Sequence, residues 1–215
     1  MLGDSIDRSE LPTATEGPAS ELGTLYDRVW NAVSRHYIEQ NQLAATPEEV
    51  GEVLGYEREF ERRDRIQRAR KLAELEQRLA DQALTEAERV HLEEFRAVLA
   101  RLARNDADND RVPPDPEQGA MQRARWVEMW KLNRALYEQY GGVVALTRFG
   151  PFPHGARVAV IEDYERRGLL GFADGDLRAR LLALLSARPP MTIAPELVDF
   201  TPDWKRPIPP SYFPD

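Results

Sequence analysis

The residues whose spacing best fits a metal site are acidic side chains in the segment 105–117, NDADNDRVPPDPE. An EF-hand loop places oxygen ligands at positions one, three, five and twelve and needs glycine at position six. Arg111 stands at position six here, and two prolines follow it. We therefore expect a solvated acidic linker, with calcium binding as the weaker alternative. The four calcium candidates are Asp106, Asp108, Asp110 and Glu117.

The histidines do not form a metal-binding pattern. His36, His91 and His154 are far apart in sequence, and none belongs to a His-x-x-x-His or His-Glu-x-x-His pair. His91 and Glu94 share a helix face, but the sequence offers them no third ligand. The chain has no cysteine, which excludes thiol catalysis, disulfides and cysteine metal sites. The sequence therefore predicts neither a metal ion nor a cofactor.

Motifs of the known catalytic classes are also missing from the sequence. There is no Gly-x-Ser-x-Gly elbow, no phosphate-binding loop of the Walker type and no dinucleotide fingerprint. The segment GPFPHG at 150–155 joins a predicted strand to a predicted helix, a position where α/β enzymes bind anions. Its prolines leave few free amides to hold phosphate, so we predict that it forms a turn. The sequence favours a binding protein over an enzyme.

The helix predicted at 119–140 carries large apolar side chains on nearly all of its faces. Val127 and Leu136 lie on one face, and aromatic residues and methionine extend the apolar surface beyond it. A helix that is apolar nearly all round is either central to the fold or exposes a groove. Central packing is the default expectation, whereas a groove of this composition suits extended polypeptide. The peptide-binding candidates are Trp126, Met129, Trp130 and Tyr137.

Two capping boxes mark helix starts ahead of this segment. Each pairs a threonine with a glutamate three residues later, at Thr46–Glu49 and Thr85–Glu88. The first box begins a helix at Pro47, which we expect to be short or broken near Gly55 because glycine is a poor helix former. The second begins a helix that extends to about Arg104. From Tyr56 to Ala83, sparse apolar residues at helical spacing predict an exposed helix, so Leu84 and Thr85 form the turn of a helical hairpin.

The elements together predict a mainly α fold: an irregular array of about six helices with one short strand at 143–149. The chain ends in an irregular tail rich in proline and aromatic residues. We expect a single helical domain over 1–215. Its parts are a polar arm at 1–19, a helical N-terminal part at 20–104, the linker at 105–117, a helical C-terminal part at 118–188 and a docking tail at 189–215.

Composition limits the class of partner. The chain is 42% hydrophobic and 31% charged, as is usual for a globular protein with a charged surface. Its net charge of -8 provides no basic face for phosphate contacts, so nucleic acid is not an expected partner. No stretch approaches the roughly 20 apolar residues that span a bilayer, so membrane insertion is not expected. The sequence carries no signature of an oligomeric state.

Short motifs near the N-terminus follow a recognisable order: LGDSI at 2–6, EL at 10–11, YIEQNQL at 37–43 and TPEEV at 46–50. This order resembles the N-terminal domain of SurA-like periplasmic chaperones and of related parvulin-type prolyl isomerases. In that family the helical domain cradles extended client segments, and a later helix completes it. The helix at 119–140 resembles such a helix. The parvulin strands and active histidines have no counterpart here, so the resemblance implies a chaperone-like fold without isomerase activity.

The leading expectation is therefore a chaperone-like or adaptor domain. It would bind an extended or unfolded polypeptide client through an apolar groove, without catalysis. A partner-specific interaction protein of the immunity or assembly-factor type is the alternative, and an enzyme of unrecognised type comes third. The resemblance implies a mature periplasmic form. The cytoplasm is the alternative location, because Met1 leads directly into polar residues.

Overall fold

The computed structural model describes residues 18–112, 115–147 and 150–210, and it is mainly helical, as the sequence predicts. The helices in these ranges are α1 (Pro18–Gln40), α2 (Pro47–Leu79), α3 (Glu86–Arg111), α4 (Pro116–Tyr140), α5 (His154–Arg166) and α6 (Gly175–Ser186). The strands are β1 (Val144–Thr147), β2 (Gly150–Phe152) and β3 (Thr192–Ile193). Two 3-10 turns follow, at Pro195–Leu197 and Asp203–Lys205.

Contacts divide the chain into two compact units. Unit 1 comprises the described residues up to Ala45 together with Arg125–Thr201, and it contains α1, α5, α6, the sheet and most of α4. Unit 2 comprises Thr46–Ala124 together with the described residues from Pro202, and it contains α2 and α3. The single domain over 1–215 stays a prediction. Most of the predicted polar arm and the end of the docking tail lie outside the described residues.

Unit 2 is built on the hairpin of α2 and α3, as the sequence predicts. Both capping boxes are present, at Thr46 and at Thr85, and each threonine side chain accepts a hydrogen bond from the amide three residues later. Leu75 of α2 packs with Leu92 and Leu99 of α3 to form the core of the hairpin. Local capping and an apolar stripe therefore define this part of the fold.

The predicted break of α2 near Gly55 is wrong, because the helix continues unbroken to Leu79. A glycine inside a helix costs about 1 kcal/mol relative to alanine, which lowers stability without forcing a break. Val53, between Gly51 and Gly55, is fully buried and anchors this stretch. Its packing offsets the poor helix propensity of the two glycines.

The predicted linker at 105–117 is also partly wrong. Its first residues form the last turns of α3, because arginines of α2 pair with the acidic side chains. Arg68 Nη1 lies 2.9 Å from Asp106 Oδ2, and Arg65 Nη1 lies 2.8 Å from Asp110 Oδ2. Each arginine thereby neutralises a carboxylate that would otherwise repel its neighbours near the C-terminus of the helix, the end that disfavours negative charge. Glu117 belongs to the first turn of α4.

Unit 1 encloses the larger apolar core. The large apolar side chains of α1 recur three and four residues apart, and this stripe packs against α4, α5 and α6. Fully buried members of this core are Val33, Leu132, Leu136, Val160, Ile161, Tyr164 and Leu181.

A small sheet of order β2-β1-β3 completes unit 1. The predicted strand appears as β1, paired antiparallel with β2 on one side and β3 on the other, while residues 148 and 149 lie outside the described ranges. The segment 150–155, predicted to be a turn, begins as strand β2. Pro151 is accommodated there because β2 is an edge strand, which needs fewer backbone donors.

Candidate ligand-binding cavity

Unit 1 contains a cavity of about 930 Å³ with mainly apolar walls. α4 contributes Tyr137, α5 contributes Val158, and the end of α6 contributes Leu185. β3 contributes Ile193, and the chain after it contributes Val198. Small-molecule sites in proteins usually occupy about 300–1,000 Å³, and this cavity falls in that range.

Two glycines let the N-terminus of α5 pack against the start of the sheet at one wall of the cavity. A Cβ atom on Gly155 would lie 2.8 Å from the backbone nitrogen of Val143 and 3.1 Å from Cα of Gly142. The amide of Gly155 donates to the carbonyl of Val143 at 3.0 Å. Gly142 adopts φ +90°, a conformation that side chains rarely adopt. The two backbone segments approach this closely because neither glycine has a side chain.

Two polar side chains at the cavity, His154 and Ser186, are bonded to backbone carbonyls. Nε2 of His154 lies 2.8 Å from the carbonyl oxygen of Ala187, and the hydroxyl of Ser186 donates to the carbonyl of Leu182 at 2.7 Å. The His154 bond connects α5 to the segment that follows α6, whereas the Ser186 bond lies within α6. His154 therefore helps to hold two walls of the cavity together.

Large apolar side chains in the segments that line the cavity, or beside them in sequence, are exposed. Two of them, Leu146 of β1 and Met191 just before β3, are joined by the Leu146 amide, which donates to the carbonyl of Met191 at 3.1 Å. Exposed apolar side chains that border an apolar cavity are typical of an interaction site. The exposed members are Val143, Leu146, Leu184, Met191 and Leu197.

The four predicted peptide-binding residues divide into two pairs. Tyr137 lines the cavity, and its ring lies 5.3 Å from that of Phe200. The indole nitrogen of Trp130 donates to the carbonyl oxygen of Phe200. Trp126 and Met129 are 37% and 46% exposed and are not among the lining residues. The structure therefore brings Trp130 and Tyr137 together under the tail and leaves Trp126 and Met129 on the surface.

The tail is the part of the site that sequence reasoning missed. Residues 192–195 and Val198 form one wall of the cavity, although the sequence predicts only that the tail docks on the body. The aromatic residues of the tail, Phe200 among them, are the signal that points to such contacts. The two residues of β3 are too few to show a strand pattern.

The calcium candidates do not form a loop. Asp106 and Asp110 pair with arginines of α2, and Asp108 lies 3.5 Å from Arg111 one turn along α3. Within the described ranges, no group of three or more histidine, aspartate or glutamate side chains is placed to hold a metal ion. Asp106 and Asp110 lie on one face of α3, where Arg65 contacts both, while Asp108 pairs with Arg111 and Glu117 belongs to α4.

A polar cluster lies at the ends of α1, α4 and α5. The hydroxyl of Tyr140 donates to Asp163 at 3.2 Å, and burial together with this carboxylate raises the pKa of Tyr140 to about 12. Burial also raises the pKa of Tyr164 to about 12, and its hydroxyl lies 2.9 Å from Nδ1 of His36. Burial, and then the nearby Glu138, raise the pKa of Tyr37. All three phenols are therefore held in the neutral form.

No family model matches the chain, and no curated protein or solved structure resembles it significantly. None of the described helices is long and apolar enough to cross a membrane. The geometry of unit 1 therefore supplies the observations from which function is inferred.

Proposed function

We propose that the chain is a chaperone-like or adaptor protein that binds extended polypeptide, with the cavity of unit 1 taking apolar side chains of the bound segment. The observation that carries the proposal is an apolar cavity of about 930 Å³ bordered by exposed apolar side chains. Such a surface loses contact with water when an apolar segment enters it, which favours binding by about 25 cal/mol for each Å² buried.

The chain's own tail supports an extended polypeptide as the ligand. The tail crosses α4, where Trp130 donates to a backbone carbonyl and Tyr137 contacts the aromatic ring of Phe200. Hydrogen bonds to the peptide main chain and aromatic-lined grooves are among the means by which proteins bind extended peptides. Upstream of this crossing, residues 192–194 of the tail form one wall of the cavity with extended backbone.

Binding without catalysis fits the polar groups of the cavity. The imidazole of His154 and the hydroxyl of Ser186 are both engaged with backbone carbonyls. A nucleophile needs a base within hydrogen-bond reach, and these two groups are directed to other partners. The resemblance of residues 2–50 to SurA-like chaperones supports the same proposal, including a periplasmic location.

The proposal is tested by filling the cavity from its exposed wall. Ala194 lines the cavity and is exposed, so Ala194→Trp adds bulk without disturbing the core. Ala179 is exposed on α6 and is not a lining residue, so Ala179→Trp is the matched control. Binding is measured with a fluorescently labelled, permanently unfolded client rich in apolar residues. We expect Ala194→Trp to weaken binding by about tenfold or more, because it blocks the anchor site.

The control variant should bind as the wild type does, and both variants should keep the wild-type melting temperature. The proposal is wrong if the wild type binds no unfolded client, or if Ala194→Trp binds as tightly as the control. Tight binding of one folded partner and of no unfolded chain would instead identify a partner-specific interaction protein.

A further inference from the structure

A half-buried cation without a counter-ion lies in unit 1, on the first turn of α5. The guanidinium carbon of Arg157 lies 4.1 Å from the ring centre of Trp30 and 4.0 Å from that of Phe152. The ring of Tyr26, which stacks on Trp30, lies 5.5 Å away. Among the described residues no carboxylate forms an ion pair with Arg157, and its Nε has no hydrogen-bond partner.

Arg68, another arginine of low exposure, does have carboxylate partners. Its side chain is 11% exposed and lies within 2.9 Å of both Asp64 and Asp106. A cation removed from water without a partner is unfavourable, and burial accordingly lowers the pKa of Arg157 to about 9. Contacts with aromatic rings recover part of the lost solvation. The local charge is therefore unbalanced in a chain that is acidic overall.

The surroundings of Arg157 hold its guanidinium in an orientation that suits a planar anion. The rings of Trp30 and Phe152 hold the planar guanidinium, and only its Nε is buried without a partner, so the terminal Nη nitrogens remain the accessible donors. A guanidinium held in this way presents two parallel donors that match the two oxygens of a carboxylate. The hydroxyl of Tyr26 is a second buried group without a hydrogen-bond partner beside the same rings.

We propose that Arg157, held between Trp30 and Phe152, is a binding site for a carboxylate group. One cation balances one negative charge, so a carboxylate neutralises the site. A phosphate would leave excess negative charge against aromatic rings. The carboxylate belongs either to a small organic acid or to a polypeptide, as a side chain or a chain end. Arg157 is not among the lining residues of the cavity, so this site goes beyond the proposed polypeptide-binding site.

The test uses acetate as the probe, with chloride at equal ionic strength as the reference. Binding is followed by the NMR resonance of the Arg157 Nε–H group, which lies between two aromatic rings, and by the melting temperature. We expect a saturable shift with acetate and a weaker response to phosphate. Arg157→Lys keeps the charge but loses the paired donors and the Nε–H resonance, so its acetate affinity is measured from the melting temperature and should fall by about tenfold.

Arg157→Met removes the site and is expected to fold, because apolar replacement of a buried charge is often neutral or stabilising. Arg35→Met removes an exposed charge from α1 and is the matched control, which should respond to acetate as the wild type does. A peptide with a free C-terminal carboxylate is compared with its amidated form and with acetate, to distinguish a polypeptide carboxylate from a small organic acid. The site is supported whether the free peptide or acetate binds more tightly. The proposal is overturned if acetate acts no differently from chloride, if Arg157→Met responds like the wild type, or if phosphate binds more tightly than acetate.

Discussion

Close backbone approach at Gly142 and Gly155 sets the shape of the cavity at the residue scale. The contacts that a side chain on Gly155 would meet are backbone atoms, which cannot rotate away as a flexible side chain can. Any Cβ at this position must therefore move the start of α5 away from the sheet. The missing side chain of glycine matters here because packing depends on it, whereas a Cβ on Gly51 or Gly55 of α2 would meet nothing within 4 Å.

Gly155→Ala should accordingly lower the free energy of unfolding by about 1–3 kcal/mol, as overpacking usually does. Gly23→Ala in α1 is the matched control, since a Cβ there meets nothing within 4 Å and alanine has the higher helix propensity. Urea unfolding measures both variants. The control should be as stable as the wild type or more stable, and an unchanged stability of Gly155→Ala would contradict the packing described.

The buried phenols predict a dependence on alkaline pH. The pKa of Tyr140 rises from 10.0 to about 12 on folding, so its contribution to stability is fully present below pH 10 and is lost as pH rises through about 12. Burial lowers the pKa of Arg157 to about 9, so its contribution to folding stability increases as pH rises, opposite to that of Tyr140. The pH dependence of the wild type alone therefore does not report the contribution of Tyr140. The difference between wild type and Tyr140→Phe does isolate it.

Unfolding by urea at a series of pH values measures this difference. We expect the advantage of the wild type over Tyr140→Phe to shrink as pH rises from 10 towards 12. Ionisation of tyrosine, followed by absorbance, should also require higher pH in the native chain than in the urea-unfolded chain. A difference that stays constant with pH, together with identical ionisation curves, would show that the phenols are not held neutral.

At the scale of elements, pairing between α2 and α3 fixes the end of α3. Asp106 faces the nearly buried Arg68, whereas Asp108 is 71% exposed and contacts only its own helix through Arg111. Asp106→Ala should therefore speed hydrogen exchange in the last turns of α3, because these turns lose their attachment to α2. Asp108→Ala serves as the control and should leave exchange unchanged. Equal effects of the two substitutions would mean that the ion pairs do not hold this segment.

The elements that the sequence predicts well are those with local signals. The stripe of α1 and the boxes at Thr46 and Thr85 depend on residues three or four apart, and each is present. The end of α3 was missed because its partners lie about 40 residues earlier in the chain, on α2. The pairing of β1 with β2 and β3 was missed because both partners are too short to show alternation and β2 contains Pro151.

At the scale of the whole chain, the candidate site combines segments that are remote in sequence. Tyr137 was predicted because α4 has an excess of apolar residues. The walls formed by Gly142, Gly155 and the tail were not predicted, since they arise from close backbone approach and from packing of an irregular segment. Composition shows that an apolar surface exists, but tertiary contacts decide which part of it remains open. Trp130, for example, contacts the tail through Phe200.

The central claim is that the cavity of unit 1 binds extended polypeptide, and a hydrogen-exchange footprint tests it most directly. Exchange is compared with and without a saturating, permanently unfolded client. We expect slower exchange in β1 and at 192–198, which flank the cavity, with little change in α2 and α3, which belong to unit 2. Ala194→Trp should remove this protection and Ala179→Trp should retain it. Protection confined to α2 and α3, or the absence of any footprint at saturation, would contradict the claim.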